Sequence, residues 1–248
     1  MLSKLITALS IGILATMNAS RTARQRARDE LTREITDEAR RQLAHAGADG
    51  LSLRAVAREL GMVSSALYRY FPSRDELLTA LITEAYDAIG TAAESADRPS
   101  DPPRRRWLSI CAAVRDWARA HPHEYALIYG SPIPGYQAPR STVPPAARVP
   151  LVVLGVLRDA WAAGTLAAAP ATPEPSAQLA EQLRELSSTI VPGLPGPTLT
   201  RALIAWTQLF GMISFELFGQ LVGSVDPSDG FFANATEQMA EFVGLRSG

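Results

Sequence analysis

Cysteine is nearly missing. The 248 residues hold one, Cys111, so no internal disulfide can form and the chain suits a reducing, cytoplasmic setting. The plainest role for that thiol is as a small buried apolar group. Histidine is scarce as well: His45, His121 and His123 are all there are. The last two flank a proline, and only Glu124 accompanies them at ligand spacing, so no metal site is expected. No serine sits in a nucleophile elbow, and Gly193–Gly196 lacks the lysine and hydroxyl of a phosphate loop. Neither an enzyme nor a cofactor follows from such a set. No sign of charge prevails, since 24 Lys and Arg face 25 Asp and Glu. That balance argues against a general nucleic-acid coat while leaving room for a local basic face. The apolar run within residues 1–17 falls short of the ~20 residues that span a bilayer, and no good small-residue cleavage site follows it. Residues 1–20 therefore read as an extension, either mis-assigned upstream of Met17 or disordered, and no membrane partner is expected.

Present instead is strong helical periodicity. Leu31, Ile35, Ala39 and Leu43 step by four, giving a first helix that ends near Gly47. Leu53, Val56, Ala57 and Leu60 give a second, with Ser52 placed to cap it and Gly61 to end it in a left-handed turn. Ser64 to Phe71 has room for about two turns, with Leu67 and Phe71 facing inward. Pro72 stops that helix. Ser73-Arg74-Asp75-Glu76 is a capping box that opens a long fourth helix carrying Leu77, Leu78, Leu81, Ile82, Ala85, Tyr86 and Ile89.

The outward side chains of the third helix are small or hydroxyl-bearing, which suits close approach to a hydrogen-bonding surface. Helix–glycine–helix turns also occur in small bundles with no ligand. The arginines just ahead, Arg21, Arg24, Arg26 and Arg28, form a basic arm with no acid before Asp29. A solvated tail would read the same way, but beside this turn the arm favours contact with phosphates or a minor groove.

These residues resemble the TetR/AcrR family of transcriptional repressors across roughly Arg28 to Ile82. The resemblance rests on Gly50-Leu51-Ser52-Leu53-Arg54, Ala57, Gly61, Leu67-Tyr68-Arg69-Tyr70-Phe71 and Ser73-Arg74-Asp75-Glu76-Leu77-Leu78. It implies an all-α homodimer, with an N-terminal three-helix helix-turn-helix domain and a C-terminal helical domain for ligand binding and dimerisation. The boundaries expected are 21–72 and 73–248. Carried over by position, Ser52 and Arg54 approach double-stranded DNA from the second helix, and Ser64, Ser65 and Tyr68 from the third. Tyr70 and Arg74 lie on phosphates and fix register. Arg54 suits base readout, because a guanidinium can bond two acceptors of a guanine edge. One departure is notable: relatives place Ser or Thr two residues after the turn glycine, where this chain has Val63.

Beyond Ala92, helices are expected over Trp107–Ala120, Val149–Ala163, Gln178–Ile190, Leu199–Val222 and Gly230–Gly244. A proline- and glycine-rich loop falls at Ser131–Pro145, and an Ala/Pro linker at Ala167–Pro175. Trp117-Ala118-Arg119-Ala120-His121-Pro122, with Tyr125 and Gly130, resembles the WHG-type C-terminal domain of a subset of these regulators. The stretch Leu199–Val222 is apolar nearly all round, so a dimer face is expected from the last two helices, although a central core helix would read alike. An effector pocket is expected from Trp107, Trp117, Tyr125, Tyr129, Trp161, Trp206 and Phe210, each of which singly also fits plain core. With no charge cluster available, the effector should be small and apolar or aromatic. The function expected is a ligand-responsive regulator, most simply a repressor on a palindromic operator. The alternative is a small-molecule-binding or membrane-associated helical protein that keeps a vestigial DNA-binding module.

Overall fold

A computed structural model describes residues 2–167 and 174–246, with side chains of the first helix described from Ala23 onward. Arg21 and most of the expected Ala/Pro linker thus lie outside the residues described at side-chain level or at all. The described residues form ten α-helices and one 3-10 turn, with no strand among them beyond a single bridge between Leu166 and Leu245. Two compact units divide between Leu81 and Ile82.

The first unit holds α1 (Leu2–Ala46), α2 (Leu53–Glu59), α3 (Ser64–Leu67) and the opening turns of α4 (Arg74–Ala96). Its core is the periodic set read from the sequence: Ile35, Ala39, Leu43, Leu53, Val56, Ala57, Leu67 and Phe71, all buried. Leu77, Leu78 and Leu81 are buried too. They lie on the opening turns of α4, because the capping turn at Ser73 does not end the hydrophobic stripe. The Ser73 hydroxyl accepts the Glu76 N–H at 3.1 Å.

The chain leaves α2 through a Schellman turn. Gly61 adopts φ +64°, Met62 N–H bonds to the Ala57 carbonyl at 2.8 Å and Gly61 N–H to that of Arg58 at 3.1 Å. A side chain at Gly61 would be strained in that backbone region.

The second unit comprises the rest of α4 with α5 (Pro103–Ala120), α6 (Pro122–Tyr129), α7 (Val143–Ala162), α8 (Ala177–Ile190), α9 (Gly196–Leu217) and α10 (Asp229–Phe242). Helix α7 starts six residues before the expected Val149, since prolines in a first turn need no backbone donor. Helix α9 ends at Leu217, short of the expected Val222, where Gly219 takes φ +76°. The core is built on Trp107, Ile110, Val114, Tyr125, Leu157, Leu199, Leu209 and Ile213. Cys111 is buried there, and burial pushes its thiol pKa up to about 12.

Buried arginines bind the helices together. Arg106 forms a two-toothed pair with Asp97 at 2.6 and 3.0 Å and reaches Asp159 at 3.0 Å. Arg115 does the same with Glu216 at 2.7 and 2.8 Å, and reaches Asp229 at 2.9 Å.

Helix α9 is less evenly apolar in its surroundings than its sequence suggests. Its stripes Leu199, Ala202, Ala205, Leu209, Met212 and Ile213 are core within one chain. The face left outward carries Ile204 and Phe215, with Phe218 at the C-cap, all about half exposed, and the adjoining α8 exposes Leu179 and Ile190.

Candidate nucleic-acid interface and ligand cavity

The surface of the first unit is set by how α2 and α3 are anchored. Ser52 caps α2, its hydroxyl accepting the Ala55 N–H at 3.4 Å. Arg54, in the first turn, is exposed. Leu67 is wholly buried, so the remaining faces of α3 and the turn after it point outward: Ser64 and Tyr70 half-buried, Ser65 and Tyr68 exposed. Regular α-helix lasts only to Leu67. Turn-type bonds from Tyr70 N–H to Leu67 and from Arg69 N–H to Ala66 carry the chain to Phe71, so the expected two turns of helix shorten to one.

Four expected contact residues have placements that spacing alone does not give. Arg24, Arg26 and Arg28 lie within α1 instead of on an arm ahead of it, because neither proline nor glycine interrupts the chain there. Arg24 and Arg28 share one helical face and Arg26 lies on another. The Arg28 guanidinium sits 5.1 Å from the Tyr70 ring centre, so these two side chains support each other. Arg74 turns inward: it donates to the Ala48 carbonyl at 2.7 Å and to that of Leu51 at 3.3 Å. It holds the loop that presents Ser52, with about a third of its side chain exposed.

Val63 occupies the N-cap of α3 in extended backbone, offers no side-chain bond to the first turn, and is 71% exposed. A hydroxyl here would take an orphan amide hydrogen. Val63→Thr should stabilise the protein by about 0.5–1 kcal/mol. Calorimetry would read a rise in Tm of roughly 1–4 °C, and a Tm at or below that of the parent would refute the missing-cap account.

In the second unit, a cavity of about 720 Å³ opens between α4, α6, α7, α9 and the loop after Gly130. Its wall includes Tyr86, Tyr129, Tyr136, Trp206, Ile82 and Pro150, and no lining residue is charged. The rings form a connected stack. Tyr129 lies 5.9 Å edge-on to Tyr86, 5.1 Å from Tyr125 and 4.2 Å from Phe210, which in turn meets Trp206 at 5.8 Å. Tyr86 donates its hydroxyl to the Ile128 carbonyl at 3.3 Å. Burial raises the pKa of both Tyr86 and Tyr129, the latter further through Tyr86 and Tyr125, so the phenols stay neutral. Beside the cavity, Arg148 of α7 clasps α4 through Asp87 at 2.9 Å and Thr91 at 3.0 Å and through both oxygens of Glu94.

Of the seven expected pocket residues, Tyr129 and Trp206 line this cavity, and Tyr125 and Phe210 stand behind them. The other three are elsewhere. Trp107 is core, its indole N–H donating to the Thr236 carbonyl at 3.3 Å. Trp117 stacks on His121 at 5.2 Å. Trp161 sits at the end of α7, 45% exposed. Sequence reading misses Tyr86, which shares its period with a core stripe, and Tyr136, hidden in the proline-rich loop.

Among the described residues no cluster of three His, Cys, Asp or Glu side chains could hold a metal, and no helix is long and apolar enough to cross a membrane.

Comparison with known proteins bears on both units. Residues 35–81 match the family model described as bacterial regulatory proteins, tetR family, and residues 107–239 match the tetracyclin repressor-like C-terminal domain. The HTH-type transcriptional regulators Rv1816 of Mycobacterium tuberculosis and Mb1846 of Mycobacterium bovis are 41% identical over 206 residues, 79% of this chain and 85% of theirs. The crystal structure of the protein SCO4313 is 33% identical and superposes with a TM-score of 0.72 over 88% of this chain and 98% of its own. A Rhodococcus sp. RHA1 protein with unknown function, 25% identical, gives 0.64 over 86% and 95%.

Proposed function

Since the chain belongs to the TetR family of transcriptional regulators, a family of DNA-binding proteins and not of enzymes, we propose that it is a repressor that binds a palindromic operator as a homodimer and is released by a small molecule. The observation that carries this reading is the hydroxyl-bearing surface around α3, held outward by wholly buried Leu67 on a glycine turn. Ser64, Ser65 and Tyr68 enter the major groove, with Ser52 and Arg54 beside them from α2. Arg24, Arg26, Arg28 and Tyr70 serve the backbone. Arg74 acts as a brace for the 48–51 loop. The DNA-binding region starts near residue 21 and runs through the opening of α4, and the C-terminal region is of the WHG type.

Dimerisation uses the outward stripe of Ile204 and Phe215 on α9 and Phe218 at its C-cap, with Leu179 and Ile190 of α8, since a row of large apolar groups left in water favours a second copy. Two recognition elements then meet half-sites about 34–36 Å apart, or a multiple of that.

The effector site is the tyrosine-lined cavity. Helix α4 supplies Ile82 and Tyr86 to its wall and continues back to Arg74. A molecule that prefers a shifted α4 therefore changes the half-site spacing. Release needs that preference, because tight binding alone moves no equilibrium. A coupling of ~1–3 kcal/mol weakens DNA binding 5- to 150-fold.

A gel shift with the duplex upstream of its own gene, run against an unrelated duplex of equal length, tests the reading. A specific shift by the dimer is expected. Intact dimer with no preference between the duplexes would favour a small-molecule-binding helical protein with a vestigial DNA module.

A further inference from the structure

Val63 stands where a side chain of its kind serves the fold least. It is the N-cap of α3 in extended backbone, makes no side-chain bond to the first turn, and is 71% exposed. A hydroxyl at that position stabilises a helix, and valine ranks far below it as a cap. Among the described residues of the first unit, only two large apolar side chains are exposed, Val63 and Tyr68. They are the N-cap and the C-cap of the same short helix. The exposed apolar surface of this unit is thus gathered at the two ends of α3. Ser64, Ser65 and Ala66 follow Val63 and are all smaller than valine, so they leave its methyl groups free to meet a facing surface.

We infer that Val63 is a specificity-determining residue of the DNA-binding face, packing its methyl groups on the C5-methyl of one thymine in each half-site. This assignment rests on the proposed docking of α3 in the major groove and adds one reader to that face. In helix-turn-helix docking the N-terminal residues of the recognition helix meet base edges, and Val63 opens α3. Its side chain holds neither donor nor acceptor, so it offers nothing to a phosphate oxygen. Of the major-groove edges of the four bases, only that of thymine presents an apolar group. Contact there removes apolar surface of both partners from water. The stabilising cap that valine forgoes is thereby exchanged for base discrimination.

Deleting that methyl from the DNA tests this. The duplex protected within the fragment upstream of the gene is synthesised with uracil, which is thymine without its methyl, at one symmetric pair of positions at a time. Competition gel shifts with the full-length dimer give, for each protein, the affinity for a uracil duplex relative to the all-thymine duplex. In the parent one pair should cost about fourfold per half-site, the worth of one methyl left unburied, and so about fifteenfold for both half-sites. In Val63→Ser that pair should cost nothing measurable, while the penalties at every other pair match those of the parent. Val63→Ala, which brings no capping hydroxyl, should behave as Val63→Ser does, so that lost methyl groups are separated from a gained cap. Val63 is exposed, and neither variant disturbs the core.

A specific shift whose uracil penalties are the same, pair for pair, in the parent and both variants would overturn the thymine contact and leave the regulator standing. No preference by the parent dimer for the upstream duplex over an unrelated one would overturn the regulator reading, and the contact with it.

Discussion

An Arg54→Ala dimer will still bind duplex DNA but will lose most of its preference for the operator. Arg54 is exposed in the first turn of α2, the helix whose start is fixed by the Ser52 cap and, through the 48–51 loop, by Arg74. A guanidinium held this way can bond both acceptors of a guanine edge, an arrangement that discriminates by ~1–3 kcal/mol. The ratio of operator to random-sequence affinity should therefore drop roughly 5- to 150-fold. Non-specific affinity should change little.

Replacing Arg24 and Arg26 with alanine is the control with the opposite signature. Affinity should fall for every sequence alike, and the slope of log K against log salt should flatten by about one for each phosphate left without its arginine. Competition assays at two salt concentrations separate the outcomes. If Arg54→Ala leaves the operator preference unchanged, Arg54 has no part in readout.

The largest effect on stability is expected from Glu216→Ala. Its carboxylate receives two hydrogen bonds from Arg115, whose side chain is 8% exposed and lies 4.7 Å from the Phe232 ring. Without Glu216 that guanidinium keeps Asp229 and Ser228 on one side and is left unmatched on the other. Breaking a buried pair by removing one member typically costs about 3–5 kcal/mol, and the remaining partners favour the lower end. A Tm lower by roughly 6–12 °C follows for a chain of this size.

The acid side gives a second check. Burial pushes the Glu216 pKa up, but the hydrogen bonds from Arg115 and Ser228 and the charges of Arg115 and Arg119 more than offset it, so the folded value lies below 4.5. A depressed carboxylate stabilises fully above its unfolded pKa, and that contribution is lost as pH falls through the folded value. The Tm gap between parent and Glu216→Ala should thus be full near neutrality and shrink below about pH 4.5. A gap that stays constant into acid would show that Glu216 acts by packing and not by charge.

Legibility in the sequence follows the range of the interactions. Ser52, Gly61, Leu67 and Ser73 act on neighbours within a few residues, and spacing alone places each of them on its cap, turn or core face. Arg74 cannot be read this way, since the carbonyl it serves best lies 26 residues earlier and nothing local distinguishes a brace from a phosphate ligand. The Arg115–Glu216 pair spans 101 residues and leaves no trace in the pattern. Aromatics fail for another reason: a ring that fills a core and a ring that walls a cavity have the same hydrophobicity and the same helical period. Hence the sequence groups Trp107 and Trp117 with Trp206, and it presents Tyr86 as one more member of the stripe on α4.

The brevity of α3 carries a consequence for how the protein searches the chromosome. A single turn without a cap is marginal on its own, and this one depends on Leu67 and Phe71 for its hold on the domain. Were its outer backbone to tighten on docking, the operator complex would bear an entropic penalty that contact with random sequence does not, and its formation would show a more negative heat-capacity change.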